Sequence, residues 1–124
     1  MTIADESPPQ VLVVGSDEVT LRFLTILLTR AGLIVEAAAS DRAAAVVTST
    51  TAPVVLVDRD LEAVRSIRAF ADHRRAATPI VVLGPDHASD DDASAARAAG
   101  ATHFVKRPVT EPTLVAGLRS IVGG

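Results

Sequence analysis

The segment PVVLVD, residues 53–58, decides the fold because four apolar residues run without interruption between a proline and an aspartate. A strand that is covered on both faces has this pattern, since neither of its sides meets water. Two further runs repeat the pattern, VLVV at residues 11–14 and IVVL at residues 80–83. We therefore expect three fully buried strands, with Asp58 at the carboxyl end of the middle one.

The segments around these runs predict helices and two weaker strands. Residues 18–31 and 60–72 carry apolar side chains at three- and four-residue intervals, which is typical of amphipathic helices. The other predicted elements are strands at 33–37 and 103–106 and helices at 41–49 (capped by Asp41), at 90–99 and from Thr110 onward. Five strands alternating with five helices build a parallel sheet covered on both faces. Because the second and fifth strands are the least apolar, we expect them at the edges of a flavodoxin-like (βα)5 three-layer sandwich of order 2-1-3-4-5.

Composition narrows the class of protein. The two prolines in residues 1–10 predict a flexible arm, and residues 11–124 have the length of one domain. A net charge of −3 with three aromatic residues argues against nucleic-acid binding, and the absence of cysteine excludes thiolate metal sites. No apolar run approaches the roughly 18 residues that cross a bilayer, so no membrane contact is expected. Without a signal peptide or a recognisable enzyme motif, the chain is interpreted as a cytoplasmic protein that is not an enzyme.

Three motifs in this order carry a family resemblance. They are PVVLVD at 53–58, TPIVVL at 78–83 and AGATHFVKRP at 99–108, and Gly15 and Gly32 add a matching spacing around the first helix. Together they resemble the receiver domains of bacterial two-component response regulators. The resemblance extends over residues 11–122 and implies the same fold.

The resemblance also implies a phosphoryl switch. In that family a pair of acids after the first strand helps to bind Mg²⁺, and an aspartate ending the third strand accepts the phosphoryl group. A hydroxyl residue ending the fourth strand and a lysine after the fifth contact the phosphate, and an aromatic residue reports the state. The cation is needed because a carboxylate must meet an anionic donor, and Mg²⁺ requires several oxygen ligands.

Most of this set is missing when it is carried over position by position. The phosphoacceptor position keeps its residue, Asp58. The other positions hold Gly15 and Ser16 for the acid pair, Gly84 for the hydroxyl residue, Arg107 for the lysine and Phe104, which has no hydroxyl, for the aromatic. The resemblance therefore implies a degenerate receiver with no cofactor, whose Mg²⁺ binding is weak or absent.

Two charged residues near these positions have alternative interpretations. Asp17 follows the emptied acid pair and could substitute for a lost ligand, but a cap of the first helix is favoured. Arg107 keeps the positive charge of the lysine in a planar form that suits carboxylates. We hypothesise a fixed ion pair between Arg107 and Asp58, and the alternative is that Arg107 points to solvent.

These residues predict a phosphorylation-independent protein–protein interaction module in bacterial signal transduction. The expected partner surface is the face formed by the fourth helix, fifth strand and fifth helix, including residues 93–99 and Phe104. Small side chains there also suggest a homodimer. Two alternatives stay open. One is a phosphorylatable receiver that uses Asp58 with unusual metal ligands, and the other is a small-molecule site in the space left at Gly15, Ser16 and Gly84.

Overall fold

Five parallel strands alternate with helices along the chain. The computed structural model describes residues 9–70, 78–86, 88–107 and 110–123, with the backbone alone described for Thr48, Ser49, Phe70, Asp86, Arg107, Val122 and Gly123. The strands are β1 Val11–Gly15, β2 Val35–Ala39, β3 Val54–Asp58, β4 Ile80–Asp86 and β5 His103–Arg107. The helices are α1 Glu18–Arg30, α2 Ala43–Ser49, α3 Leu61–Phe70, α4 Asp90–Ala99 and α5 Glu111–Gly123.

The strands form one sheet of order β2-β1-β3-β4-β5, which confirms the predicted topology. Every residue of β1 and β3 is buried, whereas β2 is partly exposed along its length. Val11 pairs with Val35 on one side and with Val54 on the other, so β1, β2 and β3 are in register from their first residues. The carboxyl ends of the three apolar strands consequently meet at one edge.

Each face of the sheet packs against its own helices. Alternate strand residues such as Val13 and Leu56 pack with α1 and α5. The intervening residues, including Val14 and Val57, pack with α2, α3 and α4. This is the three-layer sandwich that the sequence predicts. Among the described residues, no helix has the length and apolar character needed to cross a bilayer.

The turn after α1 corrects the predicted start of the second strand. Gly32 adopts a φ of 98°, and the N–H groups of Gly32 and Leu33 donate to the carbonyls of Thr29 and Leu28 at 3.0 and 3.1 Å. This pair of bonds is the Schellman motif, so the Leu33 N–H is used to end the helix and is not available for strand pairing. Strand pairing therefore begins at Val35 and not at Leu33, and β2 extends to Ala39.

The predicted arm at residues 1–10 falls mainly outside the described residues. Gln10 is described, and its N–H donates to the Ile34 carbonyl at 2.7 Å while its side-chain oxygen accepts from the Ile34 N–H at 3.0 Å. Gln10 therefore extends the pairing between β1 and the segment before β2.

The predicted cap of the second helix is wrong. Asp41 lies inside a 3-10 turn at Ser40–Arg42, and α2 begins after it at Ala43. Arg42 occupies the N-cap position and makes no side-chain capping bond. Asp41 is displaced because the 3-10 turn links the end of β2 directly to the helix.

We expect Gly100→Ala to lower the free energy of unfolding by about 1–3 kcal/mol. Gly100 has a φ of 124°, and an added Cβ would lie 2.5 Å from Arg68 Cγ. Arg68 is held in place because its Nε donates to the Gly100 carbonyl at 2.8 Å. Urea denaturation followed by circular dichroism measures the change.

Gly117→Ala is the matched control, with an effect of opposite sign. An added Cβ at Gly117 meets no atom within 4 Å, and the position lies inside α5. Alanine is preferred over glycine in a helix interior, so the free energy of unfolding should rise by about 0.5–1 kcal/mol. Equal losses in the two variants would contradict the assignment of Gly100 as a conformationally required glycine.

Candidate functional site

The predicted site residues lie at the carboxyl edge of the sheet. Gly15 ends β1, Asp58 ends β3 and Gly84 lies near the end of β4. Asp58 Cβ would be 3.7 Å from a Cβ placed on Gly15, which brings these two tips into direct contact. The sheet topology therefore brings Gly15, Asp58 and Gly84, three positions of the predicted degenerate site, to the same edge.

Asp58 is buried and paired with its neighbour. Its residue exposure is 3%, and its Oδ1 lies 3.8 Å from Arg59 Nε. Arg59 has a φ of 61°, in the left-handed region that residues other than glycine seldom adopt. In this conformation the Arg59 N–H donates to the Leu83 carbonyl at 2.9 Å and the guanidinium lies beside the Asp58 carboxylate.

Arg59 is the site residue that sequence reasoning missed. The only signal is its position between Asp58 and Asp60 in the segment DRD. An arginine after a strand-ending aspartate ordinarily points to solvent, and about half of this side chain is exposed. Its pairing with Asp58 depends on the positive φ, which no periodicity in the sequence reveals.

The ring of Phe104 covers Gly84. A Cβ added at Gly84 would overlap Phe104 Cζ and lie 3.0 Å from Cε1. Phe104 is partly buried and packs with the core on the α3 and α4 face of the sheet. The aromatic side chain therefore occupies the space that a hydroxyl-bearing side chain at this strand end would need.

This packing corrects the expectation that both glycines leave room for a ligand. Gly15 does so, since an added Cβ would make ordinary contacts of 3.7–3.8 Å with Asp58 and Leu21. Gly84 does so only in part, because the Phe104 ring lies where its Cβ would be. What is left beside it is a cavity of about 220 Å³, lined by Arg59, Leu61, Val82, Gly84, Pro85, Asp92 and Phe104.

Asp17 and Asp60 cap helices, which confirms the favoured interpretation of Asp17. Asp17 accepts from the Val19 N–H at 3.2 Å and from the Thr20 hydroxyl at 2.7 Å. Asp60 accepts from the Ala63 N–H at 3.2 Å, at the start of α3. The hydrogen bond from Thr20, then that from Val19, and also the positive charge of Arg59, lower the pKa of Asp17.

The two cationic residues at the end of β5, Lys106 and Arg107, are described to different extents. Lys106 Nζ lies 3.1 Å from Asp90 Oδ1, so this side chain bridges to the first turn of α4. The Arg107 backbone pairs with Asp86, but its side chain and Pro108 lie outside the described residues. The hypothesis of an Arg107–Asp58 ion pair therefore stays a prediction.

Few side-chain oxygen ligands for a magnesium ion are available among the described residues at this edge. Mg²⁺ needs oxygen ligands in near-octahedral geometry. Ser16 is exposed, Gly15 has no side chain, and the carboxylates of Asp17 and Asp60 cap helices. Within the described part of the chain, no three histidine or acidic residues come together as a metal-binding group. The carboxylate of Asp58 meets a guanidinium instead.

A second concave region lies at the β5 edge of the sheet. It is a groove of about 410 Å³ with mainly apolar walls. Its lining residues are Val81, Arg97, His103, Phe104, Val105, Thr113, Leu114, Gly117, Leu118, Ser120 and Ile121. The groove lies on the surface that the sequence predicts for partner binding, and Phe104 links it to the covered Gly84.

Comparison with known proteins gives one consistent result. The family model described as response regulator receiver domain matches residues 11–119. A search of curated proteins finds no significant match. Solved structures of receiver domains and response regulators share the fold across nearly the whole chain. The chemotaxis protein CheY4 of Vibrio cholerae is 24% identical with a TM-score of 0.76, covering 93% of this chain and 99% of its own.

Two other structures are equally distant in sequence. A response regulator from Thermotoga maritima is 22% identical with a TM-score of 0.73, covering 95% of this chain and all of its own. The receiver domain of the sensor histidine kinase PA1611 from Pseudomonas aeruginosa is 21% identical with the same TM-score and coverage. That structure holds a magnesium ion in its active-site cleft.

We expect Gly84→Ala to lower the free energy of unfolding by about 1–3 kcal/mol, because the added methyl group overlaps the Phe104 ring. In a Phe104→Ala background the same substitution should cost far less, since the ring is gone. A double-mutant cycle by urea denaturation measures this coupling. Gly15→Ala is the matched control at the neighbouring strand end and should change stability little. An equal cost of Gly84→Ala in both backgrounds would contradict the contact.

The lowered pKa of Asp17 predicts that the stability of the protein depends on pH. Because its folded-state pKa is lowered, its contacts stabilise the fold above the unfolded-state pKa and are lost as pH falls through the folded-state pKa. Asp17→Asn keeps the capping geometry without the charge. The stability difference between wild type and Asp17→Asn should therefore be full at neutral pH and shrink below pH about 4. Thermal melts across this range measure it, with Asp91→Asn as an exposed control, and a constant difference would refute it.

Proposed function

Because this chain belongs to the response regulator receiver domains, we propose that it binds signalling proteins without requiring phosphorylation. Receiver domains interact with other proteins of two-component signalling, and that coarser role follows from the family match over residues 11–119. The finer proposal concerns how the interaction is controlled. In this chain the binding surface is present in one constant form, and neither Mg²⁺ nor a phosphoryl group sets it. A cytoplasmic site of action stays a prediction.

The covered strand end at Gly84 is the observation that carries the proposal. A switch needs two arrangements of similar free energy that a signal can bias. The Phe104 ring fills the space above Gly84, and no hydroxyl-bearing side chain stands there to respond to a phosphoryl group. The ring also lines the groove at β5, so its inward position and the shape of that groove are linked. This linkage supports a single binding-competent form.

The charges around Asp58 give independent support. Phosphoryl transfer to a carboxylate needs cations that neutralise the attacking and transferred groups. Asp58 is 3% exposed and has Arg59 beside it at 3.8 Å, while Gly15 and Ser16 bring no carboxylate to hold a metal. The Arg59 guanidinium beside the resting carboxylate supplies no oxygen ligand for Mg²⁺. We therefore expect Asp58 to stabilise the loop after β3 and not to accept phosphate.

The groove at the β5 edge is the proposed partner surface. Its apolar walls come from β5 and α5, and Arg97 and His103 add polar groups. Gly117 lines the groove, and a Cβ added there would meet no atom within 4 Å. A concave apolar patch with a few polar groups favours insertion of side chains from a protein segment.

The first test exposes the protein to Mg²⁺ and beryllofluoride, and separately to acetyl phosphate. Amide chemical shifts around Asp58 and the intact mass are the readouts. We expect no adduct and no shift changes in wild type. Gly15→Asp/Ser16→Asp is the positive control for metal binding, since Gly15 has room for a side chain. A stable adduct on Asp58 in wild type would instead support the phosphorylatable receiver.

The same experiment extends to the partner surface. Partner proteins should bind equally to wild type and to Asp58→Asn, with or without acetyl phosphate. Their binding should be lost in Ile121→Glu, which changes a residue that lines the groove. Binding that depends on Asp58 would overturn phosphorylation independence. Thermal stabilisation by a nucleotide or phosphate metabolite without Mg²⁺, abolished by Arg59→Ala, would instead favour the small-molecule alternative, because Arg59 lines the remaining cavity.

A further inference from the structure

Three large apolar side chains on one helix face are exposed. Val19, Phe23 and Ile26 of α1 are 76%, 59% and 51% exposed. We call them the α1 stripe. Within the described residues, the only other large apolar side chain of this kind is Ile34, before β2. Single exposed apolar residues are ordinary, but a contiguous row of them marks an interaction surface.

The α1 stripe lies on the far side of the helix from the core. The core face of α1 is formed by Leu24 and Leu28, which are buried between α1, α5 and the sheet. The intervals within the stripe are four and three residues, and Arg30 continues the row after another four. This 4-3-4 spacing is the seam with which two helices pack against each other. The row therefore suits a helical partner that lies alongside α1.

We propose that the α1 stripe is the contact between two copies of this chain, with their α1 helices antiparallel across a two-fold axis. The distribution of charge along α1 favours a second copy of the chain in an antiparallel arrangement. The acids Asp17 and Glu18 stand at its start, and Arg30 stands in its last turn. An antiparallel pair brings Arg30 of each copy to the acidic end of the other. A parallel pair would bring Arg30 against Arg30, which is unfavourable.

The antiparallel register places Phe23 opposite Ile26 of the second copy, and Val19 opposite its Arg30. A shallow depression of about 190 Å³, lined by Glu18, Val19 and Arg22, lies at this end of the stripe. The methylene stem of Arg30 from the second copy would cover Val19, with its guanidinium reaching Glu18. Glu18 has capacity for this contact because its bridge to Arg22 is long, at 3.9 Å, and exposed.

This dimer leaves the proposed partner groove free. Helix α1 packs on β1 and β2, at the opposite edge of the sheet from β5. Two helices of this length bury less than the roughly 1,200 Å² of a standard stable interface, so a weak, concentration-dependent dimer is expected. Its existence does not depend on whether Asp58 accepts phosphate, so the two proposals fail or succeed separately.

Sedimentation velocity of the full chain over a wide range of concentration tests the dimer. The weight-average mass of wild type should rise with concentration from the monomer value of 12.8 kDa toward twice that value and no further. Phe23→Ser should weaken the association at least tenfold. Ile34→Ser is the matched control, since Ile34 is exposed but lies off the stripe, and it should leave the association unchanged. Circular dichroism verifies that each variant is folded.

A charge exchange tests the antiparallel arrangement. Glu18→Arg and Arg30→Glu should each weaken the association at low salt, and the double variant should recover it. Arg65→Glu, which places the same change on an exposed position of α3 at the other face of the sheet, should have no effect. Failure of the double variant to recover would overturn the antiparallel register. A chain that stays monomeric at every concentration, or one that grows beyond the dimer and depends on Ile121, would overturn the proposal.

Discussion

The burial of β1 and β3 on both faces constrains everything else in this molecule. Backbone groups in these strands meet no water, so each must pair within the sheet. Polar side chains are then tolerated mainly where the strands begin or end. Among the described residues, the buried polar ones are Thr50, Asp58 and Thr78, and each lies before or at the end of a strand. Asp58 is the one at the carboxyl edge, where the Arg59 guanidinium lies beside it.

Packing and an ion pair shape the carboxyl edge around a remaining cavity of about 220 Å³. Glycine at position 84 permits the Phe104 ring to lie against the sheet, and the left-handed backbone at Arg59 turns a cation toward Asp58. A metal-dependent site would leave this region open to water and to a second anion. Here an aromatic contact and a tethered guanidinium take up that space and charge. Both contacts are made by side chains of the chain itself.

The pattern of apolar residues was sufficient to predict the sheet, because a strand buried on both faces is an uninterrupted apolar run in the sequence. The caps Asp17 and Asp60 were also predictable, since a short acid before an amphipathic segment has a local partner. Asp41 has the same appearance, but a 3-10 turn displaces it from the helix end. The contact between Gly84 and Phe104 joins neighbouring strands, β4 and β5, and depends on register and side-chain rotamer. Neither quantity is encoded in the spacing of one segment.

A receiver with one fixed form would be regulated differently from a switch. A signal shifts an equilibrium only by the difference in its affinity for two states. If Phe104 and Arg59 keep the carboxyl edge in one state, no such difference is available there. Control must then come from occupancy, which depends on the concentrations of the chain and its partners. The exposed α1 stripe and the β5 groove lie at opposite edges of the sheet, so self-association can raise the number of grooves per particle without altering any of them. Two linked grooves increase apparent affinity for a partner that itself carries two copies of the recognised segment.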